Sequence, residues 1–142
     1  MSLFDVEPFT CWRCDECGQT IASAREGWVE WRERDGTLCD FRIVHHVSAS
    51  PRGELGCYGA KTAGNMLMEE TLGTDGLAWL LGLLAKSPVE REPFAELVRR
   101  LQVPFYELAR NHVVDPTSFE TNGVREYTQA GIAAKLRIPS PA

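Results

Sequence analysis

Cys14-Asp15-Glu16-Cys17-Gly18 decides how the chain is read. Two residues between two thiols let both thiolates face one ion, and a glycine after the second tolerates the strained backbone that follows. No other stretch carries so specific a chemical signature. The five residues therefore point to a folded metal knuckle before they point to a reaction.

Downstream, Gly27-Trp-Val-Glu-Trp-Arg-Glu-Arg34 alternates like a strand, with Val29 and Trp31 on one face and Trp28 and Glu30 on the other. Asp35-Gly36 supplies a two-residue turn with positive φ, and Leu38 to His46 reads as the returning strand. Ser48 to Gly56 is expected to be loop. Ala60 to Leu72 reads as a helix, with Met66, Leu67 and Glu70 at helical spacing and Gly64 weakening it. Thr74 or Asp75 is placed to cap a helix ending at Lys86, and its apolar residues run around almost the whole circumference. Such a helix is expected to be buried. Pro93 suits the first turn of a helix through Gln102, whose stripe is Phe94, Leu97, Val98 and Leu101. Pro104 opens a short helix towards His112, and Ala130 to Leu136 offers a last turn or two. The expectation is an α+β protein: a zinc-binding β-hairpin module over 1–58, packed on a helical segment with an irregular tail over 59–142.

A chain of 142 residues with ordinary apolar and charged fractions is large enough for such a core. The net charge of −5 argues against a general nucleic-acid coat or a polybasic membrane binder. Leu77 to Ala85, the most apolar run, is too short to span a bilayer. The start, Met1 to Pro8, lacks the basic and apolar regions of a signal peptide, and an odd count of five cysteines does not read as a disulfide framework. A cytoplasmic protein without a membrane partner is expected.

A structural zinc needs four ligands in a tetrahedron. Cys14 and Cys17 supply two. The preferred completion is Cys57 with His46, and His45 and Cys11 are the alternates. Strand alternation sends His45 and His46 to opposite faces, so one of them reaches the ion. Cys39 sits beside the hairpin turn and reads as a free, partly buried thiol.

Over about the first sixty residues, this order of knuckle, hairpin and second ligand pair resembles the zinc-ribbon and treble-clef group of small zinc-binding modules. The resemblance implies a zinc-stabilised fold used to contact protein or nucleic acid. The second pair departs from that group in lacking a Cys-x-x-Cys. The whole chain is also similar to small bacterial proteins of this architecture.

Three other chemistries bear on the same residues. Cys11-Trp-Arg-Cys14 and Cys14-Asp-Glu-Cys17 have dithiol spacing, but a dithiol oxidoreductase places its pair after an apolar strand at a helix start. Ile43-Val-His-His-Val47 and Asn65 faintly resemble a metal-dependent nuclease of the His-Asn-His type, yet no histidine follows Asn65 before His112. Residues 94–112 resemble a helix-turn-helix in which Arg99, Arg100 and Arg110 would touch phosphates. Against this stands an ordinary helix pair whose arginines are its solvated face.

Overall fold

A computed structural model describes residues 8–53, 56–59, 61–111, 128–129 and 131–132. Strands precede helices, in the α+β class expected. β1 (Trp12–Arg13) and β2 (Thr20–Ile21) form a small antiparallel pair whose connection is the knuckle. β3 (Gly27–Arg34), β4 (Thr37–His45) and β5 (Gly64–Leu67) make an antiparallel sheet in the order β4-β3-β5. α1 (Gly73–Lys86), α2 (Arg91–Gln102) and α3 (Tyr106–Asn111) follow.

The β3–β4 hairpin turns at Asp35 and Gly36, both at positive φ (53° and 82°), as the twist of the flanking strands demands. The pairing of β3 with β4 is irregular at one point. Glu30 pairs with Arg42 but Arg32 pairs with Cys39, so β4 carries an extra residue, and Asp40 takes φ 52° there. This is a β-bulge, and it shifts the alternation of everything beyond it.

Residues 61–72 correct the helix expected over 60–72. Gly64–Leu67 is β5, paired with β3 through Val29–Met66 and Trp28–Leu67, and Met68–Thr71 forms a 3-10 turn. The cause is the indole of Trp31: a Cβ on Gly64 would collide with it, so only glycine lets the backbone cross that ring. Helical spacing in so short a segment was outweighed by sheet pairing.

The main core joins both halves of the chain. Trp12, Ile21, Val29, Ile43, Val44, Leu80, Phe94, Leu97 and Leu101 share one buried cluster. Burying each of the three α2 side chains contributes about 1.5–3 kcal/mol. Phe94 stacks edge-on against Phe41 at 5.4 Å, and Trp31 meets Trp79 at 5.6 Å. Trp12 Nε1–H donates to the carbonyl of Arg100 at 3.1 Å, tying β1 to the end of α2.

α1 departs from expectation. Gly76 and Leu80 are buried, but Leu81 is 53% exposed and Leu84 46%. Only one side of this apolar helix finds the core. Among the described residues, no helix is long and apolar enough to cross a membrane. His112, the expected end of the helix opened by Pro104, and residues 130 and 133–136 of the turn expected over 130–136 lie outside the described residues.

The outer edge of β4 is held at both ends. The segment between α1 and α2 bonds it through Leu38 N–H to Pro88 O and Glu90 N–H to Leu38 O, both 2.9 Å. The knuckle bonds it at Ile43: Asp15 N–H donates to Ile43 O and Ile43 N–H donates to Asp15 Oδ2, both 2.8 Å. That second clamp brings the knuckle to the end of β4.

Candidate metal centre

The knuckle is a tight turn. Gly18 N–H donates to Cys14 O at 3.0 Å, Cys14 N–H donates to Gln19 O at 2.9 Å, and Gly18 takes φ 75°. This left-handed geometry is why glycine stands there. It turns the thiols of Cys14 and Cys17 towards the last residue of β4, His45. The loop after β4 then returns Cys57 to the same point. Sγ of Cys14, Cys17 and Cys57 and a ring nitrogen of His45 all lie within 4.8 Å of one another. Cys14, His45 and Cys57 are buried, and Cys17 is half-buried. Together they can hold a metal ion.

His45 shows how the set is oriented. Its Nε2 lies 3.0 Å from the carbonyl oxygen of Thr20. A carbonyl only accepts, so the proton sits on Nε2. That bond turns Nδ1 towards the sulfurs, 3.4 Å from Cys17 Sγ and 3.8 Å from Cys57 Sγ. A backbone carbonyl fixing the far nitrogen of a histidine is the usual outer support of a metal ligand.

The thiols are held unequally. Burial pushes Cys14 up, but the N–H groups of Cys17, Glu16 and His45 and the His45 ring outweigh it and bring it down to about 7. Burial pushes Cys57 up, aided by the neighbouring Cys14 and Cys17 sulfurs and opposed by the Ser50 hydroxyl 3.1 Å away, to about 11. Several thiolates in one small site would repel each other, and a divalent cation between them would remove that penalty.

Charged side chains brace the parts that carry these ligands. Arg42 donates to Glu16 of the knuckle at 2.6 Å, to Glu30 at 3.3 Å and to Cys57 O at 3.2 Å. Glu30, 2% exposed, accepts from Gly59 N–H through both oxygens at 3.0 Å and so anchors the Cys57 loop on the sheet. Arg52 donates to Glu16 at 2.7 Å. Arg42 and Arg52 hold the Glu16 carboxyl below its usual range.

The placement of the predicted residues is mixed. Cys14, Cys17 and Cys57 come together. His46, the preferred histidine, lies outside this cluster, and its alternate His45 lies within it. His46 instead accepts Ser48 N–H on Nδ1 at 3.3 Å, capping a 3-10 turn, and its ring stands edge-on to Trp28 at 5.6 Å. Alternation separates the two histidines, but the bulge at Asp40 breaks the count from the hairpin turn that would say which one points in. Cys11, the other alternate, is exposed and outside the cluster. Cys39 is also outside it, fully buried rather than partly so, with its thiol raised by burial and Asp40.

The three arginines assigned to phosphate are engaged with carboxylates. Arg100 is 3% exposed. Its guanidinium donates to Glu107 at 2.7 and 2.9 Å, to Asp15 at 2.6 Å and to Arg13 O at 2.9 Å. A side chain so enclosed does not reach a phosphate. Arg99 donates to Glu92 at 2.9 Å and Glu96 at 3.3 Å, and Arg110 donates to Glu96 at 2.8 Å. Sequence reasoning missed Asp15, Arg100 and Glu107 as a set. Its one local sign is that Arg100 borders the apolar stripe of α2 on the Leu97 side. Comparison with protein-family models, curated proteins and solved structures gives no match for the chain.

Proposed function

We propose that the chain is a small structural-zinc protein whose surface recognises another protein. The observation that carries the zinc reading is the His45 ring, held by Thr20 with its Nδ1 among three sulfurs. A tetrahedral zinc with bonds of about 2.3 Å to sulfur and about 2.0–2.1 Å to nitrogen spaces its N and S ligands about 3.5 Å apart. The separations of 3.4 and 3.8 Å match that spacing. Three thiolates and one imidazole favour zinc over the oxygen-seeking divalent ions. Four protein donors leave no position for a reactive water, which supports a structural ion over a catalytic one.

Support for a protein partner over nucleic acid comes from charge and surface. The net charge is −5, and Arg99, Arg100 and Arg110 are engaged within the fold. Among the described residues, the large apolar side chains most open to solvent are Val47, Tyr58, Leu67, Leu81 and Leu84. Metal analysis of the purified chain tests the zinc reading, and about one zinc per chain is expected. Titration with duplex DNA across salt concentrations tests the choice of partner. Tight binding with a steep salt slope would restore the helix-turn-helix reading.

A further inference from the structure

The outward side of α1 is unlike the rest of the surface. Between Asp75 and Lys86 the helix has no charged residue. At 100° per residue, Leu77, Leu81 and Leu84 form one stripe, with Ala78 and Ala85 beside it and Gly82 next. Leu81 and Leu84 are about half exposed, Ala78 and Ala85 are exposed, and Leu77 is half-buried. Asp75 and Lys86, both exposed, flank this face on the same side as Gly82.

Two features indicate the occupant. The first is Gly82. Glycine inside a helix weakens it. Gly76 has an internal reason, since a Cβ there would strike the backbone of Thr71. At Gly82 an added Cβ meets nothing within 4 Å, so the fold of one chain does not require glycine. A smooth surface at Ala78, Gly82 and Ala85 instead lets a second helix approach closely. The second feature is the opposite charge at the two ends. A twofold axis between residues 80 and 81, relating two antiparallel α1 helices, sets Asp75 against the partner's Lys86 on the shared flank. The same axis sets Leu77 against the partner's Leu84. Self-complementarity of this kind is what a twofold interface demands, and the antiparallel helix dipoles favour it too. A membrane surface suits the face less well, because interfacial helices line their polar side with many basic residues and α1 has one lysine.

We infer that α1 is the seam of a homodimer, packed antiparallel on α1 of a second copy. The inference is independent of the metal site, so zinc content and self-association succeed or fail separately.

Sedimentation equilibrium of the purified full chain over a wide concentration range tests it. The expected result is a monomer–dimer equilibrium that Leu81→Glu shifts to monomer while the circular dichroism spectrum stays unchanged. Asp75→Lys should weaken the dimer roughly tenfold, since it makes two like-charge contacts at once, and adding Lys86→Asp should restore it. Gly82→Leu should raise the melting temperature of the monomer yet weaken the dimer, a split that a merely structural role does not give. A monomer at every concentration overturns the proposal. So does a dimer indifferent to Leu81→Glu and to the charge exchange, or a monomeric chain that binds neutral and anionic vesicles through Leu81.

Discussion

Asp15 Oδ2 accepts a hydrogen bond from the Arg100 guanidinium at 2.6 Å and another from Ile43 N–H at 2.8 Å. A residue lying between the two knuckle cysteines is thus bonded to α2 and to β4 at once. Arg100 completes the link through Glu107 on α3, whose Oε1 also accepts Arg13 N–H at 3.1 Å. The knuckle, the sheet, α2 and α3 therefore meet at one buried charge. Removing that charge strands two carboxylates with little access to water. Arg100→Met should cost about 3–5 kcal/mol, as breaking buried ion pairs does. Arg99→Met, whose partners are more open to solvent, should cost less than about 1 kcal/mol. Urea unfolding of the two variants checks the difference.

The same cluster sets a pH dependence. Burial would raise the Glu107 carboxyl, but Arg100, the Arg13 N–H and Arg110 outweigh it and hold it below its ordinary 4.5. A depressed folded value means that the unfolded chain takes up a proton first as pH falls. The stabilisation is whole above about pH 4.5 and is lost as pH drops through the folded value. The stability gap between the native chain and Glu107→Gln should be widest near neutrality and close below pH 4.5. Denaturant unfolding at stepped pH measures it, and a gap constant with pH would contradict the assignment.

His45 and His46 are adjacent but not interchangeable. His45→Ala should lower zinc affinity by more than the roughly hundredfold that outer supports contribute, whereas His46→Ala should leave it nearly unchanged. Competition with a chromogenic chelator gives both affinities. The reverse order would return the site to His46.

Gly64 reports on β5. Gly64→Val drives a side chain into the Trp31 indole and should destabilise the fold by about 1–3 kcal/mol, despite the strand preference of valine. Thermal unfolding with Trp fluorescence reads both the loss and the disturbed ring. A variant as stable as the native chain would contradict the close packing of Gly64 on Trp31.

Features encoded over a few neighbouring residues were legible in the sequence. The Cys14–Cys17 turn, the Asp35-Gly36 hairpin, and α2 with its Phe94, Leu97 and Leu101 stripe depend on spacing and backbone preference alone. What escaped depends on partners far along the chain. β5 exists because Gly64 can lie on Trp31. Which of the two histidines faces the thiols depends on a bulge at Asp40, visible only once β4 is paired with β3. Arg100 looks like surface charge until α3 and the knuckle close over it. α1 shows the opposite limit, for an apolar circumference says that a face will be covered but not that the same chain will cover it.

The most direct test of the central claim is the zinc content of the purified full chain, measured together with the effect of Cys14→Ser and Cys17→Ser. About one zinc per chain is predicted, and either substitution should release it and unfold the knuckle and hairpin, because binding energy at such a site is folding energy. A metal-free chain whose melting curve is unchanged by both substitutions would contradict it.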